Sequence, residues 1–182
     1  MRRKQIAAMG MVSVLLGAGS LLASAGAASA SLATRQAARR CAAIDATPWP
    51  AYANGRPAGI DPKTAAGTFM WHGKAGWQIR VTHVHDARRT FAGRLTTPGR
   101  FVDVKAVRLE GHDAVNVSAD RRTLTFRFGN YGAVDGLSFR VACAPSIGFG
   151  FASDGHTMPA SKVTIGHSAV NPATNPFEIP RA

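Results

Sequence analysis

Beyond Gly67 the chain alternates between apolar and polar positions. Leu124, Phe126 and Phe128 are separated by Thr125 and Arg127, and Leu137, Phe139, Val141 and Cys143 by Ser138, Arg140 and Ala142. Ile147, Phe149 and Phe151 alternate with glycines, and Val163, Ile165 and His167 with Thr164 and Gly166. Successive side chains on a strand point to opposite faces, so each run carries one apolar face. Eight or nine such runs occur, at 67–73, 76–85, 89–96, 100–109, 114–119, 122–129, 137–143, 147–152 and 162–167, bounded by Gly, Pro, Asp and Asn. A spacing of about 8–12 residues with turn signals between runs marks a sandwich or small barrel. No segment past Gly67 sustains a helical period. The expected fold is all-β: a single antiparallel β-sandwich over 67–182, immunoglobulin-like or jelly-roll-like, with an irregular N-terminal arm.

One hairpin can be registered. A tight turn at Gly73-Lys74-Ala75-Gly76 sets His72 opposite Trp77, Met70 opposite Ile79 and Trp71 opposite Gln78. Directly opposed residues share a face. Met70, His72, Trp77, Ile79 and Val81 then face the core, and Phe69, Trp71, Gln78 and Arg80 form an aromatic and basic strip on the other side. That strip is either covered by the 44–60 segment, with its Trp49 and Tyr52, or exposed as a ligand surface. In the tail, Asn-Pro recurs at 171 and 175, and prolines of this kind belong to turns and sheet edges. Phe177 and Ile179 are expected to dock the tail as an edge segment.

Residues 31–66 are rich in Ala, Pro and Gly. Proline lacks the backbone donor of a ladder and restricts its predecessor, so this arm reads as irregular, with one short helix possible over Ala33–Ala43. Before it, Arg2, Arg3 and Lys4 precede a stretch with no charged side chain until Arg35, ending Ala28-Ser29-Ala30. A positive start, an apolar middle and a small-x-small ending are the parts of a secretory signal. Cleavage is expected between Ala30 and Ser31, leaving a secreted or cell-wall-associated monomer without a membrane span. A retained anchor is the alternative, since about 20 apolar residues span a bilayer; the density of Ala, Gly and Ser favours cleavage. Arg2-Arg3 leaves the general and twin-arginine export routes both open.

Export changes the reading of the two cysteines. In an oxidising compartment Cys41 and Cys143 are expected to pair, as a staple and not as catalytic thiols. It also changes the reading of the charge. In residues 31–182, 19 Lys plus Arg stand against 10 Asp plus Glu, a balance of +9. The basic residues are scattered, with doublets only at Arg39-Arg40, Arg88-Arg89 and Arg121-Arg122. Nucleic-acid binding usually clusters charge on one face, so nucleic acid is a poor fit. Anionic cell-envelope polymer or acidic polysaccharide, attracted at long range, fits an exported basic domain better.

Four segments carry a resemblance: Trp71–His83, Arg89–Arg100, Asn130–Phe139 and Asn175-Pro-Phe177. Together they resemble a group of small exported proteins of high-GC Gram-positive bacteria with no assigned activity. The resemblance covers roughly 67–182 and implies a secreted β-sandwich, with no substrate, cofactor or catalytic residue.

The candidate chemistry is sparse. His83-Val84-His85-Asp86 places two imidazoles on one strand face about 7 Å apart, within reach of one copper or zinc ion. The run is similar to the His-Val-His strand of copper-zinc superoxide dismutases. That family also needs a bridging histidine and further ligands, and Thr97-Pro-Gly-Arg-Phe101 stands here instead. A third ligand would have to be Asp86 or His112. Asp113 and Asp154-Gly155-His156 sit where turns need Asp and Gly. Gly166-His-Ser-Ala-Val170 lacks the closing glycine and the following helix of a nucleophile elbow. The glycine-rich 129–136 stretch leads into a strand, not into the helix that cradles phosphate. Three functions remain: a non-catalytic module for envelope or extracellular polymer, with Phe69, Trp71 and Arg80 as ligand surface; a metal site at His83, His85 and Asp86; and a secreted hydrolase inhibitor presenting 129–136.

Overall fold

A computed structural model of the chain describes residues 20–49, 67–82, 90–107, 109–129, 135–157, 163–165, 168–169 and 177–182. The chain divides into two compact units, Met1–Ala38 and Arg39–Ala182. The element α1 (Ser20–Ala46) begins in the first and ends in the second. It is much longer than the short helix the sequence suggests, and the expected cleavage point at Ala30–Ser31 falls inside it. Eleven of its 27 residues are Ala, the best helix former, and no proline interrupts it. It stops where Thr47 closes the last turn, its amide donating to Ile44 O (3.1 Å) and its hydroxyl to Ala43 O (3.1 Å). Pro48 prevents continuation.

The second unit is a β-sandwich. Its strands are β1 (Gly67–Gly73), β2 (Gly76–Thr82), β3 (Thr90–Thr96), β4 (Arg100–Val107), β5 (Ala114–Val117), β6 (Thr123–Gly129), β7 (Asp135–Ala142), β8 (Ser146–Ser153), β9 (His156–Thr157), β10 (Val163–Ile165), β11 (Ser168–Ala169) and β12 (Phe177–Pro180). The first sheet runs β11-β10-β1-β2-β7-β4, and the second β12-β8-β3-β6-β5 with β9 paired to β8. Every pairing is antiparallel except β1 with β10, which is parallel. The hairpin register is the one the turn dictates: Met70 pairs with Ile79, Trp71 with Gln78 and His72 with Trp77. The tail docks as an edge strand, Phe177 opposite Phe149 and Ile179 opposite Ile147. The expected strand count falls short because the two-residue pieces β9 and β11 are too brief to show a period.

Apolar residues on the inner faces meet between the sheets. Met70, Ile79, Phe101, Leu137 and Phe139 come from the first sheet, and Leu95, Leu124, Phe128, Ile147 and Phe149 from the second, all essentially without exposure. Burying each such side chain is worth about 1.5–3 kcal/mol. Two arginine groups close the join. The Arg121 Nε donates to Phe101 O (2.8 Å), and Phe101 N donates back to Arg121 O (2.8 Å), linking the β5–β6 turn to β4.

Gly93 sits in β3 opposite both Phe126 and Phe151. A Cβ there would fall 2.3 Å from the Phe126 ring and 3.0 Å from Phe151. The Phe126–Phe151 pair, with centroids 5.9 Å apart, therefore occupies the volume a side chain would need. In an open strand Gly→Ala is favourable by roughly 0.4–1 kcal/mol. Here Gly93→Ala is expected to destabilise the fold by about 1–3 kcal/mol through overpacking, read as a lowered urea midpoint.

Cys41 and Cys143 form a disulfide across a sequence separation of 102 residues. In the chain-entropy model a loop of about 100 residues gives up to ~4.7 kcal/mol. Changing both cysteines to Ser is expected to lower the unfolding free energy by about 2–4 kcal/mol in denaturant titration. A mass two protons below the reduced chain confirms the bridge in the starting protein.

Candidate functional site

The end of α1 is fixed against the β7–β8 corner by more than the bridge. Asp45 Oδ1 accepts the Cys143 amide (2.8 Å) and lies 3.7 Å from Arg181 Nη2. Arg181 follows β12, its own amide donating to Pro145 O (2.8 Å). Its Nη1 donates to the carbonyls of Ile44 and Thr47, the latter at 3.0 Å. Its guanidinium lies 4.4 Å from the Trp49 ring, within cation–π range. Only 7% of the Arg181 side chain is exposed.

Held in this way, half-buried Trp49 meets Trp77 edge-on, centroids 5.2 Å apart, with His72 at 6.4 Å; His72 is in turn 5.3 Å from Trp77. These rings line a cleft of about 460 Å³, inside the range of small-ligand pockets, roughly 300–1,000 Å³. Lys74, Arg140 and Arg181 line it, together with Asp45 and Asp103. Asp103 occupies a bulge in β4, between Val102 and Lys105, with a left-handed φ of 52°. Such bulges re-aim side chains, and here the Asp103 carboxylate lies 3.9 Å from Arg140, both side chains exposed. Trp77 Nε1 and Arg181 Nε are buried beside this cleft without a hydrogen-bond partner among the described residues. An unsatisfied buried donor costs about 1–3 kcal/mol.

The residues singled out from sequence are dispersed. Cys41 and Cys143 are joined. Ala30 and Ser31 are exposed on α1. His83, His85 and Asp86 lie outside the described residues, as do Tyr52 and 130–134 of the glycine-rich stretch. Among the described residues, the ligating side chains that converge are Cys41, Cys143 and Asp45, and both sulfurs are spent in the bridge. The Phe69–Trp71–Arg80 strip is not an open aromatic platform. Trp71 is 6% exposed, and Phe69 and Arg80 are half-buried. Arg80 lies 5.7 Å from the Trp71 ring centroid and spends its donors on Ile79 O, Leu137 O and Gln78 Oε1. Trp49 does not cover this strip; it packs at the opposite, core-side end of the hairpin. Asp113 serves a turn, accepting from the Glu110 amide (2.9 Å) and the Gly129 amide (2.8 Å).

Burial, aided by the Arg181 and Arg140 charges, holds the His72 imidazole below its ordinary pKa. It is therefore neutral at pH 7, in a cleft that, among the described residues, is also lined by Lys74, Asp45 and Asp103. The unfolded chain takes up this proton near the ordinary value of about 6.5, the folded chain only at lower pH. Stability is thus intact above that value and falls as pH drops below it. His72→Gln is expected to reduce the loss of Tm between pH 7.5 and 5 relative to the unaltered protein, measured by scanning calorimetry. No family model, curated protein or solved structure matches this chain.

Proposed function

We propose that this chain is an exported, non-catalytic module that binds cell-envelope or extracellular polymer through the Trp49 cleft. The observation that carries this reading is a half-buried tryptophan with cations beside it in a cleft of ligand size. An apolar sugar face gains by leaving water for an aromatic ring, and cations on the rim suit the negative groups of envelope polymers. The lining carboxylates have structural work: Asp45 holds the Cys143 amide, and Asp103 accompanies Arg140. Export is supported by the charged, apolar and small-residue order of residues 1–30 and by a disulfide, a bond that persists in oxidising compartments. Among the described residues no helix is long and apolar enough to cross a membrane.

Co-sedimentation tests this directly. The purified, oxidised protein is mixed with insoluble envelope polymer and with insoluble acidic polysaccharide, then centrifuged. Depletion from the supernatant is expected, falling at least fivefold for Trp49→Ala. Retention in the supernatant with every polymer, or equal depletion of the variant, overturns the proposal.

A further inference from the structure

Resting on that reading, we infer that the cleft selects a monoanionic sugar: a saccharide ring against Trp49, its single negative charge taken by Lys74 and Arg140. The charges around the cleft divide into those committed to the fold and those left to a ligand. Arg181 is nearly fully buried, its Nη1 is committed to two carbonyls, and it lies against the Trp49 ring. It positions the ring and offers a ligand little. Its charge is balanced by Asp45, itself tied to the Cys143 amide. His72 adds no charge at neutral pH. Among the described residues, what remains is Lys74 and Arg140 against Asp103, a surplus of one positive charge.

The Arg140–Asp103 pair does not consume that surplus. Its 3.9 Å separation and the exposure of both side chains (67% and 63%) mark a loose ion pair. A charge-assisted hydrogen bond closes to about 2.7–2.9 Å, and an exposed pair is worth about 0–1 kcal/mol. Arg140 is therefore free to turn its fork to a ligand oxyanion, which it matches in shape. A neutral glycan leaves the surplus unmet, whereas a dianion exceeds it. A single charge on a sugar comes either from a uronate carboxylate or from a phosphodiester between sugars, and both present oxygens that Arg and Lys recognise.

Isothermal titration of the oxidised full chain decides the matter, with four probes. These are tetragalacturonate, its methyl ester (the same rings uncharged), a sugar-phosphodiester oligomer, and a ringless glycerol-phosphate oligomer. The expected result is saturable binding of one or both charged, ring-bearing oligomers, at least tenfold weaker for the methyl ester and for the ringless chain. The tighter of the two ring-bearing oligomers identifies the source of the charge. Lys74→Ala and Arg140→Ala, checked for unchanged Tm, are each expected to weaken binding three- to tenfold and to flatten its salt dependence. Equal binding of the methyl ester, or no effect of either variant, overturns the monoanion inference while polymer co-sedimentation still stands. Co-sedimentation without binding of any probe also overturns it alone. Absence of both overturns the binding module with it.

Discussion

Cys143 leaves β7 with a left-handed backbone (φ 52°), a conformation a non-glycine residue rarely holds unaided. The bridge to Cys41 and the hydrogen bond from its amide to Asp45 hold it there. Both partners sit in the last turns of α1, one turn apart, so a single helical segment grips the corner covalently and electrostatically. The rest of the cleft follows. With α1 ended at this corner by Pro48, Trp49 is delivered to the hairpin edge, and Arg181 crosses from the second sheet's edge strand to hold the ring. Chain segments far apart in sequence converge because the bridge removes the freedom of one to leave.

The sandwich supplies the other wall by ordinary strand geometry. The Gly73–Gly76 turn registers His72 against Trp77, and strand parity puts both on the inner side of the first sheet, at its end rather than its centre. Trp77 is buried there, while His72, its partner across the hairpin, stays half-buried and lines the cleft. Across the sheet, the β4 bulge interrupts the pairing with β7 between Val102 and Lys105. That irregularity places Asp103 beside Arg140. Core strands thus end in polar and aromatic residues where the ladder ends, and the cleft lies there.

Legibility in the sequence followed the range of the signal. The period-two runs and the hairpin register depend on neighbours a few residues apart, and they match the strands to within a residue or two, except that the 76–85 run continues past Thr82 into residues outside those described. The Cys41–Cys143 pairing was readable by elimination, and Phe177 and Ile179 as an edge segment by their prolines. The length of α1 was under-read, because the drop from apolar to charged composition at Arg35 suggests a boundary that alanine propensity ignores. Coverage of the Phe69–Trp71 strip by the 44–60 segment and its exposure both stay open in the sequence, since nothing local tells a distant ring such as Trp49 which face of the hairpin to meet. The cleft itself was not legible. Lys74 reads as a turn residue and Arg140 as a strand's outward position, and no local pattern singles out Arg181. Joining the disulfide to the edge-strand docking of the tail would have brought Trp49 and Arg181 to one corner.

The large positive charge and the small cleft act at different ranges. The balance of +9 over residues 31–182 attracts any polyanion, but at physiological ionic strength this field fades over about 8 Å and chooses nothing. Selection must come from contact, where a ring and one balanced charge are matched together. On the proposed function the cleft takes one charged sugar unit at a time, so its affinity for a single unit is modest. On a polymer the same unit recurs, and the effective concentration of neighbouring units makes rebinding faster than escape. On the proposed function, a small site and a diffuse basic surface would together make retention on a charged polymer strong while each contact remains exchangeable. The bridge and the Arg181 contacts hold Trp49 in place, so on the proposed function less entropy is left to be lost on binding.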